Sequence, residues 1–110
     1  MSKKKITKQS PLSGKQARFL RGLGHHLSPL VMVGREGITD KLVGSVLDVL
    51  AAHELVKIKL QQNCPIDRKE VAEELATATG SAVAQVLGKT ILLFKENKEK
   101  AEDKRIKIPK

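Results

Sequence analysis

Residues 30–61, LVMVGREGITDKLVGSVLDVLAAHELVKIKLQ, decide the fold that the sequence predicts. The apolar run at 30–33 is short and bounded by turn residues, so we interpret it as a buried strand. Residues 39–53 place apolar side chains at helical spacing, and Asp40 in the first turn suits the positive end of a helix dipole. Residues 55–61 alternate between apolar and polar side chains, as a half-buried strand does. A strand, a crossover helix and a second, parallel strand are therefore expected.

Another helix is predicted before this unit. Ser13 and Gln16 have the spacing of a capping box, and Leu12 is placed as a hydrophobic staple. One side of the helix carries the apolar residues Ala17, Leu20, Leu23 and Leu27. The other side carries the basic residues Lys15, Arg18 and Arg21 together with His25. The helix is expected to end at Ser28 and Pro29, because proline cannot continue the hydrogen-bond ladder.

The residues after 61 predict one more helix and a hairpin. Asp67 can cap a helix that Gly80 ends. Residues 82–87 and 90–95 are predicted strands, and Gly88 between them fits a tight type II′ turn. The order α-β-α-β-α-β-β then gives a single compact α/β domain with a four-stranded mixed sheet. Lys57 and Lys59 fall on the polar side of their strand and indicate that one sheet face is partly open.

Charge is the strongest compositional signal. The formal net charge is +9, and the first 35 residues hold eight Lys or Arg residues and no acidic residue. Such a lopsided distribution favours a polyanionic partner. Nucleic acid is the leading candidate, and an anionic membrane surface is the weaker one.

Several function classes are disfavoured by what the sequence lacks. Its longest apolar runs are far shorter than the ~20 residues of a membrane-spanning helix, and the lysine-rich start is not followed by the apolar stretch of a signal peptide. Cys64 is the single cysteine, so no internal disulfide can form, which fits a reducing compartment. We therefore expect a cytoplasmic protein. His25, His26, His53 and Cys64 lack the spacing of zinc ligands, and no catalytic motif is present, so no enzyme, metal site or cofactor is predicted.

The chain ends differ in composition from its centre. Residues 1–11 are predicted to be a flexible basic arm, whose lysines either contact phosphate or keep the protein soluble. Residues 12–96 form the predicted domain. Residues 97–110 are a charged tail that either continues as a helix or is disordered, and the sequence leaves both open.

Gly34-x-x-Gly37 is the first candidate site. Between a strand and a helix N-terminus, glycines let backbone N–H groups approach a phosphate. A tight turn that needs a positive φ would explain the same glycines. Lys15, Arg18 and Arg21 form a cationic stripe just before the loop, and the alternative there is an ordinary solvated helix face. With no Trp or Tyr for stacking, recognition is expected to depend on the nucleic-acid backbone and shape.

Several motifs in order resemble the CRM domain, and in particular the stand-alone bacterial YhbY family. The resemblance covers about residues 12–95 and is carried by LSGKQ at 12–16, RFLR at 18–21, VGREGIT at 33–39, HELVKIK at 53–59 and Thr79-Gly80. It implies a fold like the C-terminal domain of bacterial translation initiation factor three. It also implies an RNA-binding protein that associates with ribosomal RNA in precursors of the large subunit and acts in ribosome assembly without catalysis.

The resemblance also indicates which residues contact RNA. The main RNA contacts that it implies are Lys15, Arg18, Arg21, Gly34, Arg35, Glu36 and Gly37. The weaker candidates are Lys41, Lys57, Lys59 and Lys89. The Glu36 side chain is expected to point away from phosphate. A monomer without a small-molecule substrate is expected. Two alternatives remain: an adaptor that docks an acidic protein through its basic face, and a nucleotide-processing enzyme with an unrecognised site.

Overall fold

The helices and strands follow one another in the predicted order. The computed structural model describes residues 11–109. Its elements are α1 (Gly14–Gly24), β1 (Val31–Val33), α2 (Asp40–His53), β2 (Leu55–Leu60), α3 (Arg68–Thr79), β3 (Ala82–Leu87), β4 (Thr90–Phe94) and a single 3-10 turn at Glu102–Lys104. The α/β class and the four-stranded mixed sheet are thereby confirmed. Apart from Pro11, the predicted basic arm lies outside the described residues.

The sheet has the strand order β1-β2-β4-β3. β1 and β2 are parallel, with Met32 opposite Lys59. β4 lies between β2 and β3 and is antiparallel to both. Because β1 and β2 are parallel, the loops that leave their carboxyl ends meet at one edge of the sheet, next to the start of α2.

Helices cover the two faces of the sheet unequally. α2 and α3 pack on one face, over a core whose fully buried members include Val33, Val46 and Ile58. α1 packs on the other face, where a smaller cluster contains Leu20, Leu92 and Phe94. Because hydrophobic stabilisation grows with the apolar area buried, the cluster with more buried members contributes more of it. α1 contacts β2, β3 and β4, so it leaves the β1 side of its face open.

Caps at the predicted positions begin and end the helices. The capping box of Ser13 and Gln16 is formed, with N–H···O distances of 3.0 and 3.1 Å. Asp67 caps α3 by accepting from the N–H of Lys69. Gly80 ends that helix with φ 68°, in the left-handed region that glycine adopts without a Cβ clash.

Two predictions about the first half of the chain were wrong. α1 ends at Gly24, before Ser28, and its predicted apolar residues Leu23 and Leu27 are each 39% exposed. β1 is a half-buried edge strand, because Met32 between its buried neighbours is 55% exposed. Both differences concern the β1 side of the sheet, which stays uncovered because α1 packs against β2, β3 and β4.

The segment after β4 packs back on the domain. The sequence left open a helix or disorder for residues 97–110, and through 109 the structure shows an irregular chain with a single 3-10 turn. Ile106 and Ile108 pack against the α1 cluster. Gln16 Nε2 donates to the carbonyl of Pro109 over 3.0 Å. The segment therefore covers part of the α1 layer and completes its packing.

Candidate functional site

The loop between β1 and α2 is a tight turn at the edge of the sheet. The N–H of Gly37 donates to the carbonyl of Gly34 over 3.0 Å. Gly37 is buried with φ 68°, and a Cβ there would lie 3.1 Å from Ile66 Cδ1. This glycine is therefore required by the turn itself. Arg35 and Glu36 are exposed at the tip of the turn.

The first turn of α2 leaves backbone donors open beside the loop. Thr39 caps the helix, and its Oγ1 accepts from the N–H of Leu42 over 3.1 Å. Within residues 11–109, no hydrogen bond uses the N–H of Asp40 or Lys41. These donors and the exposed Lys41 ammonium attract anions, while the carboxylates of Asp40 and Glu36 oppose them.

A groove runs from this loop onto the open face of the sheet. Its first part has a volume of about 430 Å³ and is lined by the loop, the start of α2, Met32, Gln61 and Asn63. Its second part, of about 810 Å³, shares Met32, Gln61 and Asn63 with the first and extends to Lys59 and Lys89. We call the two parts together the loop groove. Both parts are open to solvent.

The three lysines predicted on the sheet and hairpin have different surroundings. Lys57 is half-buried, and its Nζ donates to the carbonyl of Gly24 over 3.3 Å, at the negative end of α1. Lys59 is exposed beside Met32. Lys89 is exposed in the β3–β4 turn, and its carbonyl accepts from the N–H of Leu60 over 2.7 Å, which holds the turn beside the end of β2. Lys59 and Lys89 therefore belong to the loop groove. The Lys57 ammonium is instead engaged in a hydrogen bond with the C-terminal end of α1.

The basic residues of α1 form a separate surface. Leu20 and Gly24 mark the side of α1 that faces the sheet, and Arg18 lies about 200° around the helix from Leu20. Lys15, Arg18 and Arg21 are exposed, and within residues 11–109 none of them forms an ion pair. No residue of α1 lines the loop groove. The stripe therefore lies outside the lining of the loop groove, although α1 packs on the sheet face onto which the groove opens.

Comparisons with known proteins identify the family. The family model described as the CRS1 / YhbY (CRM) domain matches residues 12–95. This chain belongs to the CRM domain family. It is similar to the Bacillus subtilis protein named "Probable RNA-binding protein YqeI", with 43% identity over 89% of this chain and 99% of that protein. It is also similar to a Haemophilus influenzae protein named "RNA-binding protein", with 31% identity over 90% of this chain and 96% of that protein.

A solved structure shares the fold of this CRM domain. The solution structure of a hypothetical Staphylococcus aureus protein, described as a candidate RNA-binding protein, matches with a TM-score of 0.74 and 40% identity. The match covers 89% of this chain and 99% of that one. The predicted family resemblance is thereby confirmed. In the described part of this CRM domain, no helix is long and apolar enough to span a membrane, and no group of His, Cys, Asp and Glu residues could hold a metal ion.

Sequence reasoning missed three side chains in the groove of this CRM domain. Met32, Gln61 and Asn63 line both parts of the groove. Gln61 and Asn63 follow directly after β2, and the N–H of Gln61 donates to the carbonyl of Val33 over 2.8 Å. The signal that could have found them is the predicted parallel pairing of β1 and β2, which brings both strand ends to one edge.

Proposed function

We propose that this CRM-domain protein binds ribosomal RNA in precursors of the large subunit and acts in ribosome assembly without catalysis. The family match and the names of its relatives support RNA as the partner. The loop groove carries the proposal, because its basic side chains are exposed and line one continuous open surface. We further propose that the protein acts as a monomer in the cytoplasm.

Phosphate neutralisation provides most of the affinity in this proposal. Arg35, Lys41, Lys59 and Lys89 line the groove, and no ion pair within residues 11–109 uses them. Each phosphate that such a residue neutralises releases bound counterions, so the logarithm of the affinity falls with the logarithm of the salt concentration. On single-stranded RNA, four such contacts correspond to a slope of about −3.

The α1 stripe has a different part in the proposal. Lys15, Arg18 and Arg21 lie outside the groove, so one extended strand in the groove does not also follow α1. We propose that they contact a second backbone segment of a folded RNA. The protein then binds a structured RNA more tightly than a short single strand, because only the structured RNA reaches both surfaces.

Salt titration of paired variants tests the two surfaces. The probes are a transcript from the large-subunit rRNA precursor and an eight-nucleotide single strand, and affinity is measured between about 50 and 300 mM salt. Lys59→Gln with Lys89→Gln should make the salt dependence of the affinity shallower on both probes, by about one unit of slope for each lost contact. Arg18→Gln with Arg21→Gln should make it shallower on the transcript alone. The exposed Lys104→Gln is the control that leaves both slopes unchanged.

Two outcomes would contradict the proposal. Unchanged slopes in both double variants would remove these basic residues from the RNA interface. The adaptor alternative would be favoured if the protein captured an acidic partner that stays bound after nuclease treatment and did not co-sediment with ribosomal precursors. In-cell crosslinking followed by sequencing of the attached RNA should recover large-subunit precursor sequences.

A further inference from the structure

We infer that the centre of the loop groove binds an unpaired nucleobase, which the side-chain amides of Gln61 and Asn63 recognise and Met32 contacts with its thioether. The inference rests on the proposed RNA binding and goes beyond it. It assigns sequence preference, and preference for single-stranded segments, to three side chains that carry no charge.

Gly34 provides the first observation. Unlike Gly37, it does not have a φ in the left-handed region, so the backbone does not require glycine there. A Cβ on Gly34 would instead lie 2.6 Å from Gln61 Oε1 and 4.0 Å from Asn63 Oδ1. The missing side chain makes room for the two amides. The close approach of the Gln61 and Asn63 side chains therefore explains the glycine at position 34.

The hydrogen-bonding capacity of these amides is the second observation. Gln61 Nε2 contacts Met32 Sδ at 3.7 Å, and a thioether is a weak acceptor. Within residues 11–109, no hydrogen bond uses Gln61 Oε1 or the Asn63 side chain. An amide offers a donor and an acceptor side by side, as the edge of an unpaired base does. Ordinary solvation accounts for one exposed amide, whereas these two amides lie against the same glycine at the loop end of the groove.

Met32 supplies the apolar surface that a base needs. Its side chain is 55% exposed, although it lies on a strand between two buried valines. A flexible, polarizable thioether makes favourable contacts with aromatic rings. The Gly34–Gly37 loop lies at one end of the groove and Lys59 at the other, so phosphates on both sides of the bound base meet donors or positive charge.

A paired base cannot turn into such a site. In an A-form helix the Watson–Crick edges are engaged with the opposite strand, the deep, narrow major groove does not admit side chains, and the shallow minor groove offers base edges but no base that can enter the groove. The bound segment is therefore a loop, a bulge or an end of the RNA, with one base turned into the groove.

Binding of short RNAs tests the inference. The probes are eight-nucleotide oligo(A), oligo(C) and oligo(U) strands and a duplex of the same length, and affinities are measured at several salt concentrations. The wild-type protein should bind at least one single strand about fivefold or more tightly than the others and the duplex. Gln61→Ala with Asn63→Ala should bring the single strands within about twofold of one another and leave the salt slope unchanged. Thr77→Ala, on the exposed side of α3, is the matched control that keeps the preference.

Gly34→Ala is a second, independent variant. The added methyl group meets the end of a flexible, exposed side chain, so the melting temperature should change by no more than about 2 °C. The displaced Gln61 amide should still reduce the base preference. Equal affinity of the wild-type protein for all single strands, or a preference that survives the double alanine variant, would overturn the inference and leave RNA binding intact. Failure to bind any of these RNAs or the rRNA transcript would instead refute the proposed function.

Discussion

Glu54 holds Ile106 in place through a hydrogen bond of 2.6 Å from the backbone N–H to the carboxylate Oε1. The other oxygen, Oε2, accepts from the N–H of Asn97 over 2.7 Å. Glu54 is fully buried and has φ 64°, the one positive φ among the described residues other than glycine. A single side chain at the α2–β2 junction therefore fastens the C-terminal segment in two places.

Glu54→Gln should destabilise the protein although the side chain keeps its shape. An amide has one acceptor oxygen, so one of the two backbone N–H groups would face an NH₂ group. The expected loss is about 2–3 kcal/mol in the free energy of unfolding, measured in urea. Glu99→Gln, at an exposed position, is the control and should change it by less than about 0.5 kcal/mol. An equal effect of both variants would contradict the role assigned to Glu54.

Removal of the segment after Lys95 should weaken the domain, although the family match ends there. The deletion takes away Ile106 and Ile108 from the α1 cluster and both hydrogen-bond donors to Glu54. We expect a loss of about 3 kcal/mol or more in the free energy of unfolding. Hydrogen exchange should show the largest loss of protection in α1. Unchanged protection there would show that the segment lies on the domain without stabilising it.

The predictions from sequence succeeded where a local pattern decides the structure. The capping box at Ser13, the helix end at Gly80 and the alternation along β2 each depend on neighbours a few residues away. The early end of α1 has a different origin. Leu23 and Leu27 continue the helical spacing, but Gly24 packs on the sheet and the chain then turns towards β1. That contact joins residues far apart in the sequence.

Only the part of the candidate site that has a local sequence pattern was predicted. The glycine loop and the basic residues have a signature in the sequence, in motif and in charge. Gln61 and Asn63 have no motif or charge of their own, because uncharged amides are common in turns, and only the predicted strand pairing points to them. Their place beside Gly34 depends on the pairing of β1 with β2. The position of Arg18 outside the groove lining depends on how α1 packs on the sheet, and amphipathic spacing does not determine that.

Gly24→Ala and Gly22→Ala should change stability in opposite directions. A Cβ at Gly24 would lie 2.6 Å from Leu92 Cδ2, in a packed cluster where Leu92 is 3% exposed. Overpacking there should lower the free energy of unfolding by about 1–3 kcal/mol. At Gly22 no atom lies within 4 Å, so alanine should raise it by up to about 1 kcal/mol through its better helix propensity. Thermal unfolding of both variants, monitored by circular dichroism, checks the signs, and equal shifts would rule out the close contact at Gly24.

Gly37→Ala should distort the loop as well as destabilise it. The residue needs φ 68°, and the new methyl group would press on Ile66. The expected loss is about 1–2 kcal/mol in the free energy of unfolding. Gly44→Ala, within α2 and with no atom within 4 Å, is the matched control and should be neutral or stabilising. If the proposed RNA interface is right, Gly37→Ala also lowers RNA affinity at a temperature where both variants are folded.

The central position of β4 has a consequence for how the chain folds during synthesis. β4 pairs with both β2 and β3, yet it is the last strand to be made. In a nascent chain that has not yet reached Thr90, β1 can pair with β2, but β3 has no neighbouring strand with which to pair. The sheet therefore forms late and cooperatively, from contacts of long sequence separation, and fragments that stop before β4 should not fold and should expose their apolar strands to aggregation.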